Sequence, residues 1–232
     1  MGMNFDLASA VYQASTWILP VLIAITFHEA AHGFVAWQLG DDTAYQQGRV
    51  TFNPLRHIDI LGTIIVPGLL LLSPAPFVFG WAKPVPVAFH RLRHPRSGMV
   101  KVAAAGPAIN LALAFVSAIL INLASVFPAQ LATWLTLNLA HSVLINLLLA
   151  IFNMLPLPPL DGGRVAVGLL PRFLALPLAR LDRYGLLIVI GGVFLLPMLG
   201  DAIGVDLNVF YWLIWRPVQM MLPFFWALGG VG

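Results

Sequence analysis

Long apolar segments alternate with short polar ones along this chain, and the alternation predicts a set of membrane-spanning helices. The apolar segments cover residues 11–39, 100–127, 131–155, 184–199 and 207–228. As a helix, the first would extend about 43 Å, which exceeds the roughly 30 Å hydrocarbon core of a bilayer. Each segment is expected to be helical because lipid offers the backbone no water for hydrogen bonding.

The stretch after the first apolar segment predicts a different local structure. Residues 60–72 are apolar but short, and Pro67-Gly68 interrupts them. We expect residues 60–82 to form a re-entrant or interfacial hairpin, because a crossing helix needs about 20 apolar residues. The preceding sequence QGRVTF, residues 47–52, favours a short strand, which would make this region β-hairpin-like. A full crossing by residues 60–82 is the alternative.

The composition agrees with the predicted membrane-spanning helices and is not that of a soluble domain. Of the 232 residues, 60% are hydrophobic and only 9% are charged, whereas soluble domains carry about 25% charged residues. The predicted fold class is an all-α polytopic membrane protein with about five to six transmembrane helices. We expect the bilayer as a partner and no nucleic acid. The chain has no cysteine, so any metal must be bound by imidazole and carboxylate groups.

The distribution of basic residues predicts the orientation in the membrane. Cytoplasmic loops are enriched in Lys and Arg. If the N-terminus lies outside, all of the 12 basic residues except Arg216 fall on the cytoplasmic side. This assignment requires that residues 60–82 do not cross, since a crossing would move the basic run at 83–101 to the opposite side. A prokaryotic cell (inner) membrane is the expected location.

The first predicted helix contains the sequence HEAAH, His28 to His32. Two histidines at i and i+4 lie on one helix face and can share a metal ion, and Glu29 beside the first can act on a metal-bound water. Glu29 is the only formally charged residue between Val11 and Leu39. An ionisable cluster at membrane depth indicates a functional site. The alternative is that the histidines serve only helix packing. In that case nothing would offset the free energy needed to insert the charged Glu29 into the membrane.

Asp161 is the candidate third ligand. A catalytic zinc usually has three protein ligands and one open position. Asp161 follows a proline-rich run that ends the apolar segment 131–155, and Gly162-Gly163 permits close backbone approach. We expect an unwound segment, within a loop at 156–183, to carry this carboxylate to membrane depth. The alternative is an aspartate that caps a helix.

Three separated motifs resemble the site-2 protease family of intramembrane zinc metalloproteases. They are HEAAH, AGPAIN at residues 105–110 and NMLPLPPLDGG at residues 153–163. Shorter stretches, GRVTFNP, HIDILG and FGWAKPVPV, resemble the compact bacterial branch of that family. The resemblance covers roughly residues 20–170. The length leaves no room for an inserted PDZ domain, so we expect a member without one.

The resemblance implies a function and a set of site residues. His28, His32 and Asp161 would bind one Zn²⁺ per chain, and Glu29 would be the general base. Asn153 matches an asparagine near the substrate and the active-site water.

Two further asparagines are weaker candidates for lining the site. Asn110 would have a polar role on the neighbouring helix, and Asn146 lies seven residues before Asn153 on the same helix face. Asn146 would either line the site or join two helices.

The resemblance also implies a domain and a substrate class. We expect one integral membrane protease domain over residues 1–232, with a catalytic core at about 11–170 and C-terminal helices at about 184–228. The expected substrates are transmembrane proteins or signal-peptide remnants. Two other functions stay open: a metal-binding transporter, which would not need Glu29 as a base, and a catalytically inactive homologue that binds membrane helices.

Overall fold

Helices form the regular structure of the residues that the computed structural model describes, which are 7–66, 68–69 and 80–230. In chain order they are α1 (Leu7–Gln38), α2 (Thr43–Gln46), α3 (Pro95–Ala124), α4 (Ala129–Asn153), α5 (Asp161–Leu169), α6 (Arg172–Arg180), α7 (Asp182–Ile190), α8 (Leu196–Ile203) and α9 (Arg216–Leu228). Short 3-10 turns lie at Pro54–Arg56 and Phe89–Arg91, and π-helical turns at Ile60–Ile65, Gly191–Leu195 and Tyr211–Trp215.

Four helical segments in the described part of the chain are long and apolar enough to cross a membrane. They are Val11–Gln38, Pro95–Ala124, Ala129–Asn153 and Asp182–Ile203. The predicted class, an all-α polytopic membrane protein, is confirmed. The fifth predicted segment, 207–228, forms a π-helical turn followed by α9, but it is not among the four. It contains Arg216 and Gln219.

The strand predicted for residues 47–52 does not form, and the described residues contain no β-strand. Gly48 turns the chain with a φ of 63°. Arg49 then donates through Nη2 to the carbonyl oxygen of Lys83 at 2.6 Å, and the ring of His57 contacts the carbonyl oxygen of Thr51 at 2.9 Å. The prediction was wrong because an alternating pattern favours extended backbone but cannot supply a partner strand.

The two described ends of the predicted hairpin at 60–82 meet. The N–H of Trp81 donates to the carbonyl oxygen of Gly62 at 3.0 Å, and the hydroxyl of Thr63 donates to the carbonyl oxygen of Trp81 at 2.9 Å. Residues 67 and 70–79 lie outside the described residues. Ends that hydrogen-bond to each other return to the same level of the membrane, as a re-entrant or interfacial hairpin requires and a single crossing does not.

The predicted loop at 156–183 contains two helices, α5 and α6, and Asp161 is the first residue of α5. The unwound segment ends before this carboxylate instead of including it. The helix begins here because Pro159 is the last proline of the run, so later residues again have backbone N–H groups to donate. The N–H of Arg164 accordingly donates to the carbonyl oxygen of Leu160 at 3.2 Å.

Helices α1, α3 and α4 pack together, and α9 packs against α3 and α4. The buried core of the second contact consists of Ala114, Ala118, Val143, Leu147, Val218 and Phe225. Small residues on α3 let the neighbouring backbones approach closely, which is how helices gain packing energy in lipid. The hydroxyl groups of Ser117 and Ser142 lie 2.7 Å apart and join α3 to α4.

Asp41 joins three segments at the end of α1. Its side chain is fully buried and accepts hydrogen bonds from the N–H and hydroxyl of Thr43 and from the N–H of Ala88. Burial alone would raise the pKa of Asp41, but the hydrogen bonds from Thr43 and Ala88 hold this pKa below its usual range. The carboxylate therefore stabilises the fold in its ionised form.

We predict that Asp41→Asn destabilises the protein at neutral pH, because an amide nitrogen would replace one of two acceptor oxygens. The expected loss is about 1–3 kcal/mol of unfolding free energy, measured as a lower thermal midpoint in detergent. A carboxyl with a lowered pKa stabilises above its unfolded pKa of about 3.9 and loses this effect as the pH falls through the folded pKa. The difference from wild type should therefore shrink below about pH 4.

Asp42→Asn is the matched control for this prediction. The Asp42 carboxylate is partly exposed and pairs with Arg91 at 2.9 Å, and exposed pairs contribute about 0–1 kcal/mol. Equal destabilisation by the two substitutions, or a difference for Asp41→Asn that does not depend on pH, would contradict the role of Asp41.

Candidate metal centre

His28, His32 and Asp161 converge on one buried point. The histidines lie one turn apart on α1, and their Nε2 atoms are 3.0 Å apart. Asp161 brings its Oδ2 atom within 3.2 Å of both nitrogens from the start of α5. Each of the three residues is less than one tenth exposed. Two imidazoles and one carboxylate in this arrangement can hold a single metal ion.

The hydrogen bonds behind the two histidines decide which ring nitrogens face the centre. His28 Nδ1 lies 2.6 Å from Asn110 Oδ1, and His32 Nδ1 lies 2.7 Å from the carbonyl oxygen of Val102. Both partners are carbonyl oxygens, which only accept, so each Nδ1 carries the hydrogen and donates it. Each Nε2 therefore presents a lone pair to the centre.

Asp161 completes a donor set that fits a divalent metal. Its Oδ2 atom is buried and has no hydrogen-bond partner among the described residues. A buried carboxylate oxygen without a donor is costly, and two nitrogen lone pairs beside it add repulsion. A cation at the point where the three atoms meet would remove both costs. The residues present thus fit zinc, which prefers imidazole and carboxylate ligands when thiolates are absent.

Glycines place Asp161 against the rest of the centre. A Cβ atom on Gly162 would overlap the carbonyl group of Met154, and one on Gly163 would overlap the backbone of Pro158. The first turn of α5 can therefore lie directly on the proline-rich run. At the other end of α5, Arg96 donates through Nε to the carbonyl oxygen of Gly168 at 2.8 Å and ties this helix to the start of α3.

Gly106 forms the wall of the centre on α3. A Cβ atom at this position would lie 2.5 Å from His28 Cε1 and 2.5 Å from His32 Nε2. No side chain larger than hydrogen fits between α3 and the two imidazoles. Gly106 belongs to the AGPAIN motif, but sequence reasoning assigned it no role, because the contact joins residues on different helices.

Glu29 faces the same centre and is held by backbone from a distant segment. Its Oε2 atom accepts the N–H of Val85 at 2.7 Å. Val85 belongs to an extended strap, residues 83–88, which is fixed at both ends. The N–H of Lys83 donates to the carbonyl oxygen of His57 at 2.9 Å, and the N–H of Ala88 donates to Asp41 at 2.6 Å. The sequence pointed to this stretch through the motif FGWAKPVPV and as a segment beside which a substrate strand could pair, but it did not predict the contact with Glu29.

A cavity of about 160 Å³ lies between the strap and the three donor atoms. Glu29, Asn153 and Arg164 line it together with the metal-ligand candidates. The other two asparagine candidates, Asn110 and Asn146, are fully buried and do not line it. They lie behind His28, on the side of the ring that faces the helix bundle, because α3 and α4 pack there.

No protein-family model matches the chain, and no solved structure matches it. Curated relatives do match, and the five found are each named "Putative zinc metalloprotease". YwhC of Bacillus subtilis is 37% identical over 193 residues, which cover 78% of this chain and 84% of the relative. The chain belongs to this family of compact, site-2 protease-like zinc metalloproteases. The geometry of the candidate centre is therefore the geometry of a site in a zinc metalloprotease-family member.

Two further relatives match over less of their length. Rip2 of Mycolicibacterium smegmatis is 30% identical over 73% of this chain and 62% of its own length. MJ0611 of Methanocaldococcus jannaschii is 39% identical over 60% of this chain and 62% of its own length. Both relatives are named as zinc metalloproteases, and the donor set of His28, His32 and Asp161 is one that can hold zinc.

We predict that Gly106→Ala weakens metal binding by about 5- to 140-fold, because overpacking costs about 1–3 kcal/mol and every 1.4 kcal/mol corresponds to a factor of ten. The added methyl group would push the two imidazoles apart. Metal content of the purified protein and chelator competition measure the effect. Gly192→Ala is the control, since a Cβ atom there meets nothing within 4 Å. Wild-type metal affinity in Gly106→Ala would contradict the close contact of Gly106 with the two imidazoles.

Proposed function

We propose that this metalloprotease-family member is an intramembrane zinc endopeptidase. In this proposal His28, His32 and Asp161 bind one Zn²⁺ per chain, and Glu29 is the general base. The observation that carries the proposal is the position of Glu29, whose carboxylate lines the same buried cavity as the three donor atoms. His28, Glu29 and His32 lie within a helix long and apolar enough to cross a membrane, where an ionisable cluster is too costly to persist without a function.

Each residue of the site has a separate role in the proposed peptide hydrolysis. Bound zinc would polarise the scissile carbonyl and lower the pKa of water. Glu29 takes a proton from the attacking water, whose oxygen bonds to the carbonyl carbon, and later passes this proton to the leaving amine. The N–H of Val85 binds Oε2 of Glu29 and so orients the carboxylate. The second carboxylate oxygen is then the one that exchanges the proton.

The depth of the site supports a membrane-embedded substrate. Transmembrane proteins and signal-peptide remnants can present a peptide bond at this level without leaving the bilayer. The segment that is cleaved has to unwind, because a helical amide is shielded by its own turn. Asn153 lines the cavity and is the residue proposed to contact the unwound peptide.

The proposed orientation places the N-terminus outside a prokaryotic cell (inner) membrane. The site then lies toward the cytoplasmic half, since His28 is 11 residues from Leu39, or about 16 Å along a helix. Support comes from the basic residues and from the meeting of Gly62 with Trp81, which keeps the following basic run on the cytoplasmic side. Water reaches the site from that side.

We predict that Glu29→Gln retains zinc but loses cleavage of a model transmembrane substrate by about 10²–10⁴-fold. The amide oxygen of glutamine can still accept the N–H of Val85, so the fold of the site is kept while the base is lost. Asp161→Ala should lose both zinc and cleavage, because a ligand is removed. Zinc content and product formation are measured on the same purified samples.

The controls for Glu29→Gln separate this function from the alternatives. Asp201→Asn makes the same kind of change at an exposed position on α8 and should leave both readouts unchanged. Undiminished proteolysis by Glu29→Gln would refute the mechanism. A wild-type protein that moves zinc into sealed vesicles without cleaving any membrane substrate would favour a transporter, and binding of membrane helices without either activity would favour an inactive homologue.

We predict opposite sides of the membrane for two loops, and the cysteine-free chain allows a direct test. A single cysteine in Val205→Cys, between α8 and α9, should react with a membrane-impermeant maleimide in intact cells. A cysteine in Arg180→Cys, at the end of α6, should react only after the cells are permeabilised. The reversed pattern would overturn the proposed orientation.

A further inference from the structure

A line of hydrogen bonds runs from His28 away from the cavity and into the helix bundle. Asn110 Nδ2 donates to Asn146 Oδ1 at 2.7 Å, and Asn146 Nδ2 donates to the carbonyl oxygen of Ser142 at 2.8 Å. With the contact between His28 Nδ1 and Asn110 Oδ1 at 2.6 Å, these bonds connect α1, α3 and α4. We propose that Asn110 and Asn146 are positioning residues that orient His28 for the metal.

The backbone carbonyl of Ser142, at one end of this line, can only accept a hydrogen bond, and this fixes the direction of every other bond in the line. The backbone carbonyl of Ser142 only accepts, so the side-chain nitrogen of Asn146 must face it. Asn146 Oδ1 then faces Asn110 and must accept, which turns the nitrogen of Asn110 toward it. Asn110 Oδ1 is left to accept from His28, whose Nδ1 therefore carries the hydrogen. A backbone carbonyl on α4 thus fixes the tautomer of a side chain on α1.

A second acceptor reinforces this orientation. Asn110 Nδ2 also lies 3.3 Å from the carbonyl oxygen of Ala24, one turn before His28 on α1. An Asn110 amide turned the other way would point its oxygen at two further acceptors, the carbonyl of Ala24 and the side-chain oxygen of Asn146. The amide of Asn110 therefore has one favourable orientation.

Burial makes this arrangement costly to disturb. Asn110 and Asn146 are both 0% exposed. A buried polar group that loses its partner costs about 1–3 kcal/mol, and lipid on the outside of the bundle offers no replacement. Rotation of the His28 ring, or the other tautomer, would leave Asn110 Oδ1 unpaired. The Nε2 lone pair is therefore aimed at the centre before a metal arrives.

The two histidines differ in how they are held. His32 donates to the backbone carbonyl of Val102, which no substitution removes. His28 depends on a side chain, so its orientation can be altered without touching a ligand. Partners that orient a metal-bound histidine typically change metal affinity 10–100-fold when they are removed. The inference rests on the metal site of the proposed function, but it does not require protease activity.

The test uses zinc affinity of the purified protein, measured by chelator competition, together with the visible absorption spectrum of the Co²⁺-substituted protein. Asn110→Ala should weaken zinc binding about 10–100-fold and alter the Co²⁺ spectrum, because His28 is no longer held. Asn146→Ala should have a smaller effect in the same direction, since it acts through Asn110. Asn110→Asp keeps an acceptor for His28 and should bind zinc more tightly than Asn110→Ala.

Asn122→Ala is the matched control. Asn122 is also on α3 and also joins two helices, by donating to the carbonyl oxygen of Leu228 at 2.7 Å, but it does not contact the centre. It should leave zinc affinity and the Co²⁺ spectrum unchanged. Wild-type affinity in Asn110→Ala, or equal weakening in Asn122→Ala, would overturn the inference. If Asn110→Ala does not fold, zinc affinity is compared among wild type, Asn110→Asp and Asn146→Ala. Weaker zinc binding in Asn146→Ala than in wild type would support the inference, and wild-type affinity in both variants would overturn it.

Failure of the proposed function gives a different result from failure of this inference. A wild-type protein that binds zinc, responds to Asn110→Ala as described and cleaves no substrate would support the positioning role and refute the protease. A protein in which His28→Ala binds zinc as tightly as wild type would refute both, because the metal would then be bound elsewhere.

Discussion

Polar groups at membrane depth must find their partners inside the protein, and the candidate centre of this protein depends on that constraint. Lipid cannot hydrogen-bond to an imidazole, and the three imidazoles of α1 and α4 each contact an acceptor on another helix. His141 on α4, for example, lies 2.9 Å from the carbonyl oxygen of Thr16 on α1. His28 and His32 follow the same rule, and their lone pairs face inward as a result.

Close packing without side chains is the second condition for the centre. Gly106 lets α3 lie against both imidazoles, and Gly162 and Gly163 let α5 begin directly on the proline-rich run. These contacts bring a carboxylate from residue 161 to histidines at residues 28 and 32. A methyl group at any of the three glycines would overlap a neighbouring backbone or ring.

Two prolines in the strap leave one backbone donor between them for the Glu29 carboxylate. Pro84 and Pro86 have no N–H group, so Val85 is the single backbone donor between them, and it binds Glu29. Because Pro84 and Pro86 have no N–H group to donate, the strap cannot pair there as a regular β-strand. Arg49 and Asp41 hold its two ends through carbonyl and N–H groups. The cavity is thus lined by irregular backbone that hydrogen-bonds to Arg49, Glu29 and Asp41.

Sequence by itself determined the helical membrane class, because long apolar runs have no other stable structure in lipid. It also predicted that His28 and His32 share one helix face, since residues at i and i+4 are neighbours on a helix, and it named Glu29 and Asp161 as candidates from the motifs and the small number of acidic residues. Only the tertiary structure placed Asp161 at the start of α5, assigned Gly106 and Val85 to the site, and moved Asn110 and Asn146 behind His28. Those features join residues far apart in the chain, and periodicity carries no information about which helices and loops will meet.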